Sequence, residues 1–227
     1  TDWRSRRKPP ASRGSIDGTV LGVQQGSMIQ EHAHAARLLH IDDPATRQLL
    51  VKWLQNKRPS DLVGGRLIEK QTTTFLHGAA QGGVGAQLFL LQGTRWWLTQ
   101  GVDLYLDGDG LRPDLAGWCI DRCPAPPSPL LIEEPHRVIV APPDWVCEIL
   151  STQSAAEDLD QTKRAYERAG VSWYWRVCVP TLSVSVYRHT VQGYKLCRTA
   201  TPGAPVVLPP FETLAFRVDA LLPPECV

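Results

Sequence analysis

The run WVCEIL (145–150) constrains this chain more than any other stretch. It is short, apolar and β-prone, and reads as a buried central strand. Yet one of its residues is Glu148. A lone carboxylate in apolar surroundings costs roughly several kcal/mol unless a metal, a proton or a partner compensates it. Alternation along the strand sends Cys147 and Ile149 to the face opposite Glu148. Two readings follow: a functional carboxylate, or a structural one satisfied by an arginine such as Arg112 or Arg176.

A helix follows this strand. Ser154 and Glu157 form an S-x-x-E capping box, and Gly170 is placed to end the helix. WYWRVCV (173–179) reads as another buried strand, and LSVSVYR (182–188) pairs with YKLCR (194–198) through a turn at Gln192-Gly193. Upstream, LVGGRLIE (62–69) reads as a hairpin around Gly64-Gly65. A helix is expected from about Thr74 to Gln92, with Ala80, Val84, Leu88 and Leu91 on one face. Next comes one alternating strand with Leu98, Val102, Leu104 and Leu106 facing inward, a turn at DGDG (107–110), and a strand at DLAGWCI (114–120). The Pro-rich stretch 121–143 reads as a surface loop. Hairpin, helix, three strands, helix and further strands make an α/β or α+β domain.

Charge divides the chain. Residues 1–60 hold ten Lys/Arg against five Asp/Glu, whereas the remainder holds fourteen against eighteen. Arg4, Arg6, Arg7, Lys8 and Arg13 form a basic arm, which is either a phosphate-binding segment or a solvated tail. Weak patterning marks a helix around Met28–Leu39. A second helix has Asp43 as N-cap, Pro44 at its first position and a stripe of Leu49, Leu50, Trp53 and Leu54. The expected organisation is an extension over 1–60 and a domain over 61–227.

The net charge of +1 excludes a polybasic nucleic-acid coat, and 43% hydrophobic residues exclude wholesale disorder. No run approaches the roughly 18 apolar residues of a membrane span, and TDWRSRRKPP lacks a signal-peptide core. The expectation is a soluble, cytoplasmic protein. Five of the six cysteines lie in or beside apolar, strand-like runs. The one close pair, Cys119 and Cys123, lacks a second pair or a histidine nearby, so reduced thiols are expected rather than a zinc site or a disulfide framework.

Asp114 opens the strand before WVCEIL, in the string LRPDLAGW, where Pro113 forces an extended start. There it can share one end of the sheet with Glu148; alone, it would read as a strand-opening residue. Two carboxylates plus solvent suit Mg²⁺, which dehydrates reluctantly and keeps several waters.

The strings RPDLAGW (112–118), APPDWVCEILS (141–151), AYERAGVSWYW (165–175) and PFETLAFRVDALL (210–222) agree in order and spacing with a known family. The chain over about 61–227 resembles the Uma-two group of putative restriction endonucleases, within the PD-(D/E)XK nuclease superfamily. That resemblance implies a restriction-endonuclease-like core, a central mixed β-sheet flanked by helices. Asp114 falls on the Asp of the PD motif and Glu148 on the Glu of the next strand. Asp61 occupies the place of an acidic residue that often joins the site, and His77 a position near it. The superfamily Lys two residues after the Glu is replaced by Leu150; in this group it stands on the following helix, between residues matching Asp158 and Tyr166. Here that position is Thr162, and the nearest lysine is Lys163, about 100° further round the helix. A second departure is Cys178-Val179, where the family commonly has Asp-Pro.

The implied activity is a Mg²⁺- or Mn²⁺-dependent endonuclease acting on DNA, with Asp114 and Glu148 holding the metal, Asp61 supporting it and Lys163 orienting water or offsetting charge. The Thr162/Lys163 shift keeps open a catalytically silent relative that binds nucleic acid or a protein partner. An oligomerisation module rests only on the aromatic content, and a homodimer is compatible with every reading.

Overall fold

In the computed structural model, which describes residues 41–70, 74–150 and 156–223, the Asp43 carboxylate accepts from the Thr46 backbone N–H at 2.8 Å and caps helix α1 (Pro44–Leu54). Leu50 and Trp53 are the buried residues of its apolar stripe. The chain then forms the hairpin β1 (Ser60–Val63) and β2 (Arg66–Glu69), turning at Gly64 and Gly65 with φ of +56° and +74°. Both central residues of that tight turn need positive φ, which glycine adopts without steric cost. Helix α2 (Phe75–Leu88) is capped by the Thr74 hydroxyl, and a single 3₁₀ turn, Phe89–Leu91, extends it.

Strands β3 (Trp96–Gln100), β4 (Leu104–Leu106), β5 (Asp109–Leu111) and β6 (Leu115–Cys119) follow, then β7 (Leu130–Glu133), β8 (His136–Val138) and β9 (Trp145–Leu150). Helix α3 (Ala156–Arg168) leads to β10 (Trp173–Cys178), β11 (Ser183–Thr190), β12 (Gly193–Ala200) and the short pair β13 (Val206–Val207) and β14 (Ala215–Phe216). The central sheet is mixed, with strand order β12-β11-β10-β9-β6-β3. β9 and β10 run parallel, and the other neighbours are antiparallel. A second sheet has the order β2-β1-β5-β4. The fold is a mixed α+β arrangement with helices flanking a central sheet.

Alternation along β9 divides its side chains between two cores. Trp145, Cys147 and Ile149 join Trp175, Phe211, Phe216 and the inner face of α2. Val146 faces the other way, toward Ala165, Tyr166, Tyr174 and the apolar residues of β4 and β5. Glu148 shares the face of Val146, between the central sheet and α3. A third core gathers Leu50 and Trp53 of α1 with Leu62, Tyr105, Ile132 and Val138. Trp53 lies so close to β5 that a Cβ on Gly110 would stand 2.8 Å from its ring.

The strand expected from Leu98 to Leu106 is two strands in two sheets. Gly101, at φ +58°, breaks the run, so β3 joins the central sheet and β4 the smaller one. DGDG turns at Asp107-Gly108, and Asp109 and Gly110 already belong to β5. The stretch 121–143 is not simply a surface loop: it carries the β7–β8 hairpin and buries Ile132, Val138, Ile139 and Val140. Helix α1, assigned above to the extension, packs into a unit running from Arg37 to Val227. The basic arm, the helix expected around Met28–Leu39 and the Ser154 cap lie outside the described residues.

Cys119, Cys123, Cys147, Cys178 and Cys197 are free thiols. Among the described residues, no helix is long and apolar enough to cross a membrane.

Candidate active site

Glu148 is 6% exposed, and both of its carboxylate oxygens have partners. The Tyr166 hydroxyl donates to Oε1 at 2.8 Å and the Lys70 ammonium to Oε2 at 2.9 Å. Neither arginine named above fills this place. Arg112 pairs its guanidinium with Asp103. Arg176 lies beside Glu148 in the β9–β10 register, but its guanidinium rests over the Tyr174 and Tyr187 rings. The compensating cation is a lysine from the far end of the first hairpin.

Asp114 immediately precedes β6. The β6–β9 register pairs Leu115 with Cys147, so continuing it by one residue sets Asp114 opposite Glu148. Directly opposed residues on one face of antiparallel strands have Cβ atoms about 4.5–5.5 Å apart. Asp114 Oδ2 accepts from the Ile149 backbone N–H at 2.6 Å, and Oδ1 stands 3.1 Å from His77 Nε2. The Gln81 side-chain amide also donates to the Asp114 carbonyl at 2.8 Å, so the first turns of α2 hold the residue in place.

Asp61, on β1, is fully buried. Its Oδ1 accepts from the Arg112 backbone N–H at 2.9 Å and its Oδ2 from the Thr162 hydroxyl at 3.1 Å. Lys70 Nζ lies 3.8 Å from Asp61 Oδ2 and also donates to the Arg112 carbonyl at 2.5 Å. The structure therefore brings together Asp61, Asp114 and Glu148, with Thr162, Tyr166 and His77 around them. It does not bring in Lys163, whose ammonium sits 4.0 Å from the centroid of the Tyr187 ring. Burial and the nearby Arg176 guanidinium lower the pKa of Lys163.

Lys70 is the residue that sequence reasoning missed. A signal for it was present in the hairpin. The register around Gly64-Gly65 pairs Asp61 with Ile68 and continues to Pro59 and Lys70, joined by a backbone hydrogen bond of 2.7 Å. Residues 59, 61, 68 and 70 therefore share one face, which puts Lys70 on the face of Asp61.

Burial dominates the electrostatics. It pushes the Glu148 carboxyl up to about 7, against the opposing pull of Lys70 and with further help from the negative charges of Asp114 and Asp61. The Asp61 carboxyl is raised for the same reason, and Lys70 partly offsets this. The three carboxylates hold the Lys70 ammonium protonated despite its burial.

The donor set suits a hard divalent cation. Mg²⁺ is ordinarily held by one or two carboxylates, retained waters and substrate phosphate oxygens. Asp114 and Glu148, opposed on adjacent strands, supply such a pair. Among the described residues no group of three or more His, Cys, Asp or Glu side chains is placed to hold a metal ion, so a cation here would rest on the Asp114–Glu148 pair with water and substrate oxygens.

A family described as "Putative restriction endonuclease" matches residues 47–220 of the chain. Among solved structures, the chain is similar to the crystal structure of a putative nuclease of the DUF820 group from Anabaena variabilis. The two share 20% identity and a TM-score of 0.61, over 78% of this chain and 97% of the other. No curated protein matches the chain.

Proposed function

The chain belongs to the Uma-two family of putative restriction endonucleases, and from that premise we propose that it hydrolyses DNA phosphodiester bonds with a Mg²⁺ or Mn²⁺ ion held by Asp114 and Glu148 and supported by Asp61. The observation that carries this reading is the convergence of three carboxylates from two sheets on one half-buried lysine ammonium. Such a concentration of buried charge is costly for stability alone and marks a functional site. Once bound, the cation would position a water and offset charge on the phosphate.

The protein's own groups fix the geometry. Tyr166 and Lys70 hold the two oxygens of Glu148; the Ile149 N–H and His77 orient Asp114; the Arg112 N–H and Thr162 orient Asp61. Beside the hairpin turn, Arg66, Arg164 and Arg168 line a groove of about 670 Å³. Arg168 is anchored there by Asp109 at 2.6 Å. We assign these three arginines to sequence-independent contacts with the DNA backbone, and the activity to the cytoplasm.

The test is conversion of supercoiled plasmid to nicked or linear DNA by the full chain. Cleavage should require Mg²⁺ or Mn²⁺ and stop with EDTA. Asp114→Asn should reduce the rate by more than the about 10–100-fold typical of losing a group that only orients a metal ligand. Cleavage that survives EDTA, or an Asp114→Asn rate equal to the parent's, would overturn the reading.

Glu148 also sets an expected pH dependence. A metal ion must displace its proton, so affinity should fall about tenfold for each pH unit below about 7 and level off above it. Calorimetric titration with Mn²⁺ across that range measures this directly, and a flat profile contradicts it. One observation favours a second reading, a silent relative that binds nucleic acid: Thr162 replaces the helix lysine and Lys163 is turned onto Tyr187. Salt-dependent duplex binding without cleavage in either cation would establish that reading.

A further inference from the structure

We propose that Lys70 is the catalytic cation of this site, having taken over from the second hairpin strand the charge that the helix no longer supplies. The inference rests on the nuclease reading above and adds a residue that the resemblance does not provide. Phosphodiester hydrolysis forms one bond from a water oxygen to phosphorus and breaks the bond to the leaving oxygen. The water's two hydrogens end on the new phosphate and the leaving hydroxyl, with solvent exchanging protons. Negative charge grows on the phosphate oxygens in the transition state, and a fixed positive donor beside them stabilises it.

Three observations assign that donor. Lys70 Nζ reaches Glu148 Oε2 at 2.9 Å and Asp61 Oδ2 at 3.8 Å, so its charge sits among the site carboxylates. A third hold on the Arg112 carbonyl, at 2.5 Å, fixes the ammonium before substrate arrives. Its side chain nevertheless remains 22% exposed, the most open of the three groups in the ion-pair cluster, so a phosphate can approach it. The helix has meanwhile lost the means to do this work. Thr162 uses its hydroxyl to tie Asp61, and the Lys163 ammonium is stacked on Tyr187. A polar anchor, Thr162, stands where the family places its lysine, and the hairpin supplies an ammonium instead.

The experiment compares the full-length parent with Lys70→Met, Lys163→Ala and the double variant Lys70→Met/Thr162→Lys. Plasmid cleavage is read in Mn²⁺, and two further readouts are binding of a duplex in Ca²⁺ and the melting shift produced by Mn²⁺ alone. Lys70→Met should lower the cleavage rate by about 10²–10³-fold, the usual effect of removing one preorganised donor, with duplex binding retained. The Mn²⁺-induced melting shift should grow, because the ammonium no longer competes for Glu148. Thr162→Lys in that background should restore much of the lost rate, and Lys163→Ala should cleave like the parent. Because Thr162 also touches Asp61, rescue counts for catalysis where Lys70→Met and the double variant melt alike without metal and differ in rate.

An active parent with an equally active Lys70→Met, or a folded double variant no faster than Lys70→Met, overturns this assignment and leaves the nuclease reading standing. A parent inactive in both Mg²⁺ and Mn²⁺ overturns the nuclease reading and this assignment with it. If Lys70→Met does not fold, Lys70→Arg replaces it. That variant keeps the charge but moves it, so the rate should fall, and an unchanged rate overturns the proposal.

Discussion

Glu148→Gln is expected to abolish cleavage and, above neutral pH, to raise the melting temperature. The two effects have one origin. Glutamine keeps the shape and the acceptor for Tyr166 but cannot hold a divalent cation as a carboxylate does. It also removes a charge that the native state holds at a cost. The sign follows from the raised pKa. At pH below the ordinary value of 4.5, Glu148 is protonated in both folded and unfolded chains, and the substitution should change little. Between 4.5 and about 7 the unfolded chain ionises while the folded one resists, so the parent loses stability as pH rises through that window and the variant does not. The full benefit appears above about pH 7. Gains at such sites are commonly about 0.5–2 kcal/mol, and for a domain of this size each kcal/mol shifts the melting point by about 2–4 °C. Lys70 keeps Asp61 and the Arg112 carbonyl as partners in the variant. Parallel melts at acidic and alkaline pH provide the measurement. A fall in melting temperature at alkaline pH would mean that the Lys70 ion pair outweighs the burial of Glu148.

The second large effect lies away from the chemistry. Trp53→Ala should cost about 3–5 kcal/mol, the range for removing a buried Trp or Phe side chain. The Trp53 ring is fully buried against Gly110, Arg112 rests over it at 5.3 Å, and its indole N–H donates to the Ser60 carbonyl at 2.8 Å. Ser60 adjoins Asp61, so the loss reaches the strand that carries the site. A chain begun at Asp61 loses Trp53, Leu50 and Ile41 together, and with them one wall of the third core. It should fail to show a cooperative melt, whereas a chain begun at Arg37 should show one. Equal melting of the two truncations would sink this expectation.

Much of the candidate site's carboxylate cluster was legible because its members sit in patterns that a globular domain rarely tolerates. Glu148 interrupts an apolar strand, and Asp114 follows a proline at a strand start. The structure places the Thr162 hydroxyl on Asp61. Lys70 was illegible to composition, and only the hairpin register sets it on the face of Asp61. It follows Glu69 at the end of a mostly exposed strand, where a charge normally meets water, and its partner Glu148 is 78 residues away. The single strand expected across residues 98–106 failed for a different reason. Period-two alternation continues through a glycine that redirects the chain, and alternation alone does not say which sheet a strand joins. The β7–β8 hairpin was hidden by the prolines around it, although LLIE and HRVIV carry the apolar residues that bury it.

The sequence separations within the site also set when it can come into being. Lys70 meets the Arg112 carbonyl across 42 residues and Glu148 across 78, Asp61 meets the Arg112 amide across 51, and Thr162 reaches Asp61 across 101. Contacts of such long range form only after the intervening loops have closed, and their closure slows folding. During synthesis, the hairpin bearing Asp61 and Lys70 leaves the ribosome about 80–100 residues ahead of Glu148 and Thr162, several seconds at about 5–20 residues per second. For that interval the chain carries acidic and basic groups with no site between them. The carboxylate cluster is complete only once Thr162 of α3 has reached Asp61, so no earlier stretch of the growing chain holds it.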